Sequence, residues 1–222
     1  LKPFEQFINP EIHAKYKIDM LFRINAKMGY KTFTTGLFNL NIIGIRTLDN
    51  TPNVFNDWLA VWYYAQVKQG GGIEMERPFF HLWQITTDPG TYYLKNPLKL
   101  KGTMILKEGQ YPVYQLDYHR GKYLALCQRL GPVQVYRDRN KDEILDFNPG
   151  TLESGNFGCN IHRAGKFGPF TWIDKHSAGC QVFRYPYNFD NFILLCQAAK
   201  ELHGNKFTYT LINEKDFGLL KQ

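Results

Sequence analysis

Trp58-Leu59-Ala60-Val61-Trp62-Tyr63-Tyr64 is dense in aromatic and β-branched residues, and Leu59, Val61 and Tyr63 share one face at period two. That weighting predicts a strand where a helix would also fit. Gly70-Gly71-Gly72 follows as a flexible turn, and Phe79 to Ile85 makes the return strand, so the region reads as a β-hairpin.

The pattern continues on both sides. Upstream, Leu40, Ile42, Ile43 and Ile45 predict a buried strand, and Asp49-Asn50-Thr51-Pro52-Asn53 predicts a loop. Downstream, short β runs cover Gly102 to Leu106, Val113 to Leu116, Lys122 to Cys127 and Val133 to Tyr136, each bounded by Gly, Pro, Asn or Asp. Strands at this cadence predict a sandwich or barrel-like core. Asp190 to His203 places Phe192, Leu195, Ala199 and Leu202 at helical spacing, with Asn188 or Asp190 as cap and Gly204 as stop. Phe207 to Ile212 is a last strand. At the other end, residues 1–39 form an N-terminal extension. There Pro10 opens a helix that aligns Ile12, Tyr16, Met20 and Ile24 on one face. Residues 40–222 form the main domain, with no internal repeat.

A chain of 222 residues with 44% hydrophobic and 21% charged residues can bury a substantial core and is not disordered in composition. No apolar run reaches the ~18 residues of a membrane span. The net charge is +7, with the excess spread over Lys95, Lys99, Lys101 and Lys107 and over Arg129, Arg137 and Arg139. No arginine-rich arm or recognition helix accompanies it, so no specific nucleic-acid partner is expected. The charge reads as a soluble basic surface, with attraction to a polyanion such as an anionic cell wall as the sharper reading. The chain starts at Leu1, read as a processed or trimmed start that leaves no signal visible.

Two segments carry the candidate chemistry: Gly158-Cys159-Asn160-Ile161-His162-Arg163 and Ser177-Ala178-Gly179-Cys180. A free thiol is only a few per cent ionised at neutral pH and needs a base. His162 can supply it and stabilise a thiolate as an ion pair. Gly179 lets the backbone bend just before Cys180, where amides can face an oxyanion. Cys127 and Cys196 lack such a context and read as core residues; an inert buried thiol is the plain alternative for Cys180 as well.

The order His162…Ser177-Ala178-Gly179-Cys180 resembles the signature of the YkuD-type L,D-transpeptidase family, and Thr87-Asp88-Pro89-Gly90-Thr91-Tyr92 resembles its turn after a β-hairpin. The form Asn160-Ile161-His162-Arg163-Ala164…Ser177-Ala178-Gly179-Cys180-Gln181-Val182 is similar to a divergent branch associated with bacteriophage and Bacteroidetes-related proteins. The resemblance spans roughly residues 40–183. It implies a mostly-β α+β fold, a YkuD-like sandwich or barrel with an N-terminal helical extension and a C-terminal helix-strand tail. It also implies Cys180 as acylating nucleophile, His162 as base, and backbone amides around Ala178, Gly179 and Cys180 as oxyanion donors. The chain departs from the family at Ala178, where the family has His, at Gln181, where an apolar residue is usual, and at Arg163, where a small residue is common.

Several other groupings offer rival or accessory chemistry. Cys159-x-x-His162 with His176-x-x-x-Cys180 has zinc-ligand types, but strand alternation would turn Cys159 and His162 to opposite faces. Asp138-x-Asn140-x-Asp142 with Asp146 resembles a calcium loop, except that Glu143 and Pro149 stand where Gly and Glu belong; a charged hairpin turn explains it as well. His119-Arg120-Gly121-Lys122 is a polar cluster in which Arg120 can hold a substrate carboxylate. Trp172 either covers a groove or packs. The resulting expectation is cysteine-dependent acyl transfer on peptidoglycan stem peptides, leaning to wall cleavage. Cys180, His162 and Gly179 are catalytic, Arg163, Ser177 and Arg120 bind substrate, and no cofactor or metal takes part. A catalytically silent virion or envelope component of the same fold is the alternative. Either reading places the protein in the bacterial envelope or in a phage virion or lysis setting.

Overall fold

The protein is described here over residues 15–68 and 74–221 of a computed structural model. Its regular elements in chain order are α1 (Ile18–Lys27), β1 (Asn41–Arg46), β2 (Asp57–Lys68), β3 (Glu74–Thr86), α2 (Thr91–Lys95), β4 (Thr103–Leu106), β5 (Gly109–His119), β6 (Tyr123–Gln128), β7 (Val133–Asp138), β8 (Glu153–Gly155), β9 (Ile161–Arg163), β10 (Gln181–Phe183), α3 (Pro186–His203) and β11 (Phe207–Asn213). The long hairpin is present: β2 and β3 pair antiparallel from Asp57↔Ile85 to Lys68↔Glu74. The expected Gly70–Gly72 turn, and Pro10 and Ile12, lie outside the described residues.

Eight strands close into a barrel in the order β1-β11-β5-β6-β9-β10-β3-β2, and β4, β7 and β8 form a separate small sheet. The fold is mostly β with a few helices, as the sequence predicts. Two pairs are parallel, β1 with β11 and β9 with β10. The last strand therefore lies inside the barrel wall, between β1 and β5, and completes it.

The apolar pattern explains this closure. Leu59, Val61, Tyr63, Trp83, Ile85, Tyr209 and Leu211 join the main core with Phe189, Phe192 and Cys196 of α3. The alternate residues Ile43, Ile45, Ala60, Leu82 and Ile212 form a second cluster with Tyr16, Leu21 and Ile24 of the N-terminal segment. Strands covered on both faces read as near-continuous apolar runs, which is how β1 reads in sequence. Each fully buried aromatic ring, such as Phe192 against Trp83 and Phe183, contributes roughly 1.5–3 kcal/mol.

Both helices differ in detail from expectation. α1 starts at Ile18 and buries Leu21 and Ile24, so Met20 lies off the buried stripe. α3 starts at Pro186, four residues before Asp190, with Tyr185 at the N-cap and no side-chain cap bond. Proline fits there because the first-turn N–H has no intrahelical partner. Asn188 is inside the helix and buried, and Leu202 faces solvent. Gly204 does end the helix at φ +80°, its N–H bonding to Lys200 O. Among the described residues no helix is long and apolar enough to cross a membrane.

Candidate active site

His162 lies on β9, which pairs in parallel with β10, the strand that begins one residue after Cys180. Val182 lies opposite His162 and Gln181 opposite Ile161, and Gln181 N–H bonds to Asn160 O. Side chains alternate along a strand, so His162 and Asn160 share a face with Val182 and Cys180. The same alternation sends Ile161 to the opposite face, with Gln181.

The Ser177–Cys180 loop is set by its own hydrogen bonds. Ser177 Oγ donates to Cys180 O at 2.9 Å and accepts the Gly179 N–H at 3.1 Å. Gly179 sits at φ +110°, and a Cβ there would stand 2.2 Å from Met104 O, so only glycine fits this corner. Two expectations change accordingly. Ser177 is 1% exposed and spends its hydroxyl inside the loop, so it is a brace and no substrate ligand. Gly179 contributes shape; its amide is already bonded, so it is not an oxyanion donor.

The Thr87–Tyr92 turn docks on this loop. Gly90 N–H bonds to Ser177 O at 2.9 Å, and a Cβ on Gly90 would lie 2.0 Å from Asp174 O. Behind it is a buried charge cluster. Arg46 donates to Thr87 Oγ1 (2.9 Å), Thr87 O (3.2 Å) and Glu108 (3.0 Å), and pairs with Asp88 at 3.3 Å. Asp57 accepts the Thr47 and Thr87 amides at 2.9 and 2.7 Å.

His162 is oriented by its neighbours. Its Nδ1 lies 2.8 Å from Arg163 O, which makes Nδ1 the protonated nitrogen and leaves Nε2 as the basic one. His119 stacks on it, with ring centroids 4.2 Å apart and planes at 26°. Asn160 fixes His119 in turn: its Nδ2 donates to His119 Nδ1 at 3.0 Å while its Oδ1 accepts the Gln128 N–H at 2.9 Å. The Cys180 thiol donates to Gly158 O at 3.5 Å, and among the described residues no hydrogen bond joins it to His162.

Burial sets the protonation states. It drives the His162 pKa down to about 3, with His119 and Arg120 adding to the effect and the Arg163 carbonyl opposing it. His119 falls to about 4 through burial and the charges of Arg120 and Arg129. Burial raises Cys180 above its ordinary value, against the pull of the Asn160 amide and Arg120. The resting pair is thus neutral thiol and neutral imidazole, not the thiolate–imidazolium pair expected from sequence.

The two depressed histidines make a stability prediction. Each binds a proton more readily unfolded, near pH 6.5, than folded, so its contribution is complete above about pH 6.5 and is lost as pH falls towards 4 and 3. Asp88, raised to about 7 by burial and Asp57, and Asp138, raised to about 6, slope the opposite way. The measurement is therefore a difference. Thermal melts from pH 7 to 4 should show wild type losing its stability margin over His119→Asn/His162→Asn, by up to about 1.4 kcal/mol per histidine per pH unit. A constant margin would contradict buried neutral histidines.

The remaining candidates separate. Arg163 Nη1 binds Asp190 at 3.1 Å, and its guanidinium lies 4.5 Å over the Tyr123 ring, so it anchors α3 to β6 instead of awaiting a substrate. Arg120 is exposed at the β5–β6 turn, with φ +50° there and +69° at Gly121, and its charge bears on both His162 and Cys180. Among the described residues it has no ion pair, so it is a cation available to this site. Cys159 is buried and bonds to Gly179 O at 3.3 Å, His176 packs on Phe170, and among the described residues no three His, Cys, Asp or Glu side chains are placed to hold a metal ion. Cys127 and Cys196 are buried, as expected of core residues. Trp172 is 55% exposed. A cavity of about 230 Å³ between Phe33, Phe38, Ala199, His203 and Phe207 shares no residue with this site.

The sequence reading did not single out His119 or Asn160 as partners of His162. The alternation that separates Ile161 from His162 was a usable signal for Asn160. His119 has none, because its contact depends on β5 and β9 both flanking β6. Comparison with protein-family models, curated proteins and solved structures found no match.

Proposed function

We propose that the protein is a cysteine acyltransferase or peptidase acting on peptidoglycan stem peptides. The observation that carries this reading is the placement of Cys180 and an oriented His162 on one face of two adjacent parallel strands. In the proposed step Cys180 Sγ leaves Gly158 O and meets His162 Nε2. The sulfur attacks an amide carbonyl as Nε2 takes the thiol proton, and a tetrahedral oxyanion forms. Its collapse breaks the C–N bond, His162 returns the proton to the leaving amine, and a thioester remains. Water or an amine then releases the acyl group. The Cys180 amide is the proposed oxyanion donor, since that of Gly179 is engaged. Arg120 is the proposed partner of the peptide carboxylate, a charge-assisted contact. No cofactor enters this scheme, and the +7 net charge favours an anionic wall.

A second reading has an observation of its own. Cys180 and His162 are only 9% and 6% exposed, and the thiol is bonded away from the imidazole. A silent virion or envelope component of the same fold would look like this.

Labelling separates the two. Incubation with a carbapenem, a thiol acylator, followed by intact-mass spectrometry should give one adduct per chain at Cys180, absent in Cys180→Ala and strongly slowed in His162→Ala. A thiol that stays unlabelled in folded wild type favours the silent component.

A further inference from the structure

Between α2 and β4 the chain reads Asn96-Pro97-Leu98-Lys99-Leu100-Lys101-Gly102, and nothing in the acyl-transfer reading uses it. Both ends of this segment are anchored. Leu94 of α2 and Ile105 of β4 are fully buried and pack with Tyr136 and Leu145. Thr103 Oγ1 donates to Tyr93 O, and the Asn96 N–H and Nδ2 both donate to Tyr92 O, at 2.9 and 3.0 Å. At the tip, the Gly102 N–H closes a turn on Lys99 O at 3.0 Å. Gly102 sits at φ +97°, and a Cβ there would stand 1.9 Å from Asp138 O, so the corner requires glycine. Arg139 Nε holds the Lys101 carbonyl at 3.2 Å. The turn is a fixed projection.

The fold makes no use of its apolar side chains. Leu98 is 66% exposed, and Leu100, at the corner of the turn, is fully exposed. Lys99 and Lys101 alternate with them, and with Lys95 and Lys107 they give four cations in residues 89–107, which contain no Asp or Glu. The acidic neighbours Glu143 and Glu153 are taken by Lys95 and Lys101, and among the described residues Lys99 and Lys107 have no ion pair. Tyr92, half-exposed, shares the α2 face with Lys95 and carries Lys175 Nζ 4.3 Å over its ring.

We propose that residues 96–101 are the tip by which the protein docks on an anionic lipid bilayer. Leu98 and Leu100 enter the boundary between headgroups and acyl chains, and Lys95, Lys99, Lys101 and Lys107 meet the phosphate headgroups. A single exposed leucine needs no explanation. Two on a fixed turn ringed by lysines match how interfacial segments bind, by apolar burial together with attraction to anionic lipid. Tyr92, with an apolar ring and a polar tip, suits the same depth. An anionic polysaccharide would satisfy the lysines but has no acyl interior to receive the leucines, so lipid is the occupant this surface favours. The proposal does not rest on acyl transfer.

The test is co-sedimentation of the full chain with vesicles. Equimolar phosphatidylcholine and phosphatidylglycerol should carry wild type down, and phosphatidylcholine alone should bind at least about tenfold more weakly. Leu98→Ser/Leu100→Ser should weaken binding to the anionic vesicles by about tenfold or more, and Lys99→Gln by about fivefold. These side chains are exposed, so the variants should melt with wild type. Leu100→Trp should gain blue-shifted emission when anionic vesicles are added. Wild type that stays in the supernatant would overturn the proposal. So would equal binding to neutral vesicles, a leucine double variant that binds like wild type, or Leu100→Trp emission that does not move. Retention on lipid-free sacculi that falls equally in the leucine variant would assign the turn to a wall polymer and overturn it too.

Discussion

His162→Ala should lower the rate of Cys180 acylation by about 10²–10⁴-fold, the range for removing a general base. The size of the effect follows from the protonation states. Burial keeps the thiol protonated and the imidazole neutral, so no preformed thiolate is available to react without the base. Sulfur must lose its proton during attack, and among the described residues His162 Nε2 is the oriented acceptor on the same strand face. The pH dependence has a definite sign. Neutral imidazole is the working form, and its pKa near 3 keeps it working as pH falls through 6, where an ordinary histidine would switch off. Iodoacetamide alkylation of Cys180 should be slow at pH 6–7 and still climbing at pH 9, because the thiol titrates above its ordinary value. A rate plateau across pH 5–8 would reveal a thiolate–imidazolium pair and contradict the neutral one. His119→Phe, which preserves a stacking ring, should leave folding intact and affect the rate far less than His162→Ala.

Arg46→Met should cost about 3–5 kcal/mol, the range for removing one partner of a buried ion pair. Arg46 is the cation among Asp57, Asp88 and Glu108, and its guanidinium is 1% exposed. Without it, two fully buried carboxylates lose their countercharge and Thr87 loses two hydrogen bonds. For a chain of this size the loss corresponds to a melting point lower by about 6–20 °C. Adding Asp88→Asn to Arg46→Met should recover part of it, because one uncompensated charge is removed. A melting point within a degree or two of wild type would show that the cluster is not structural. The effect should also reach the site, since Thr87 leads into the Gly90 turn that bonds to Ser177 O.

The fold was legible where local pattern and tertiary packing agree. The aromatic run from Trp58 and the apolar run from Leu40 are strands because both their faces are covered, and α3 is visible from Phe192 and Ala199, which are buried, while Leu202 of the same expected stripe faces solvent. The start of α3 was missed because the acidic Asp190 outweighed Pro186 as a signal, while in the fold Asp190 belongs to Arg163. At the site, the spacing of His162 and Cys180 predicts a strand, a loop and a second strand returning beside the first, and β9 and β10 do pair side by side. The roles of Ser177 and Arg163 were not legible in that way. Whether a hydroxyl or guanidinium is free depends on hydrogen bonds to a loop carbonyl and to a helix that are distant or irregular in sequence. The charge cluster was illegible for the same reason: Arg46, Asp57, Asp88 and Glu108 lie on separate segments, and closure of the barrel gathers them.

Purified muropeptides incubated with wild type or Cys180→Ala and resolved by mass spectrometry test the chemistry most directly. New cleaved or exchanged stem peptides formed by wild type and absent with Cys180→Ala are the predicted result. Identical muropeptide profiles from both proteins, each shown to be folded, would contradict the proposed acyl transfer.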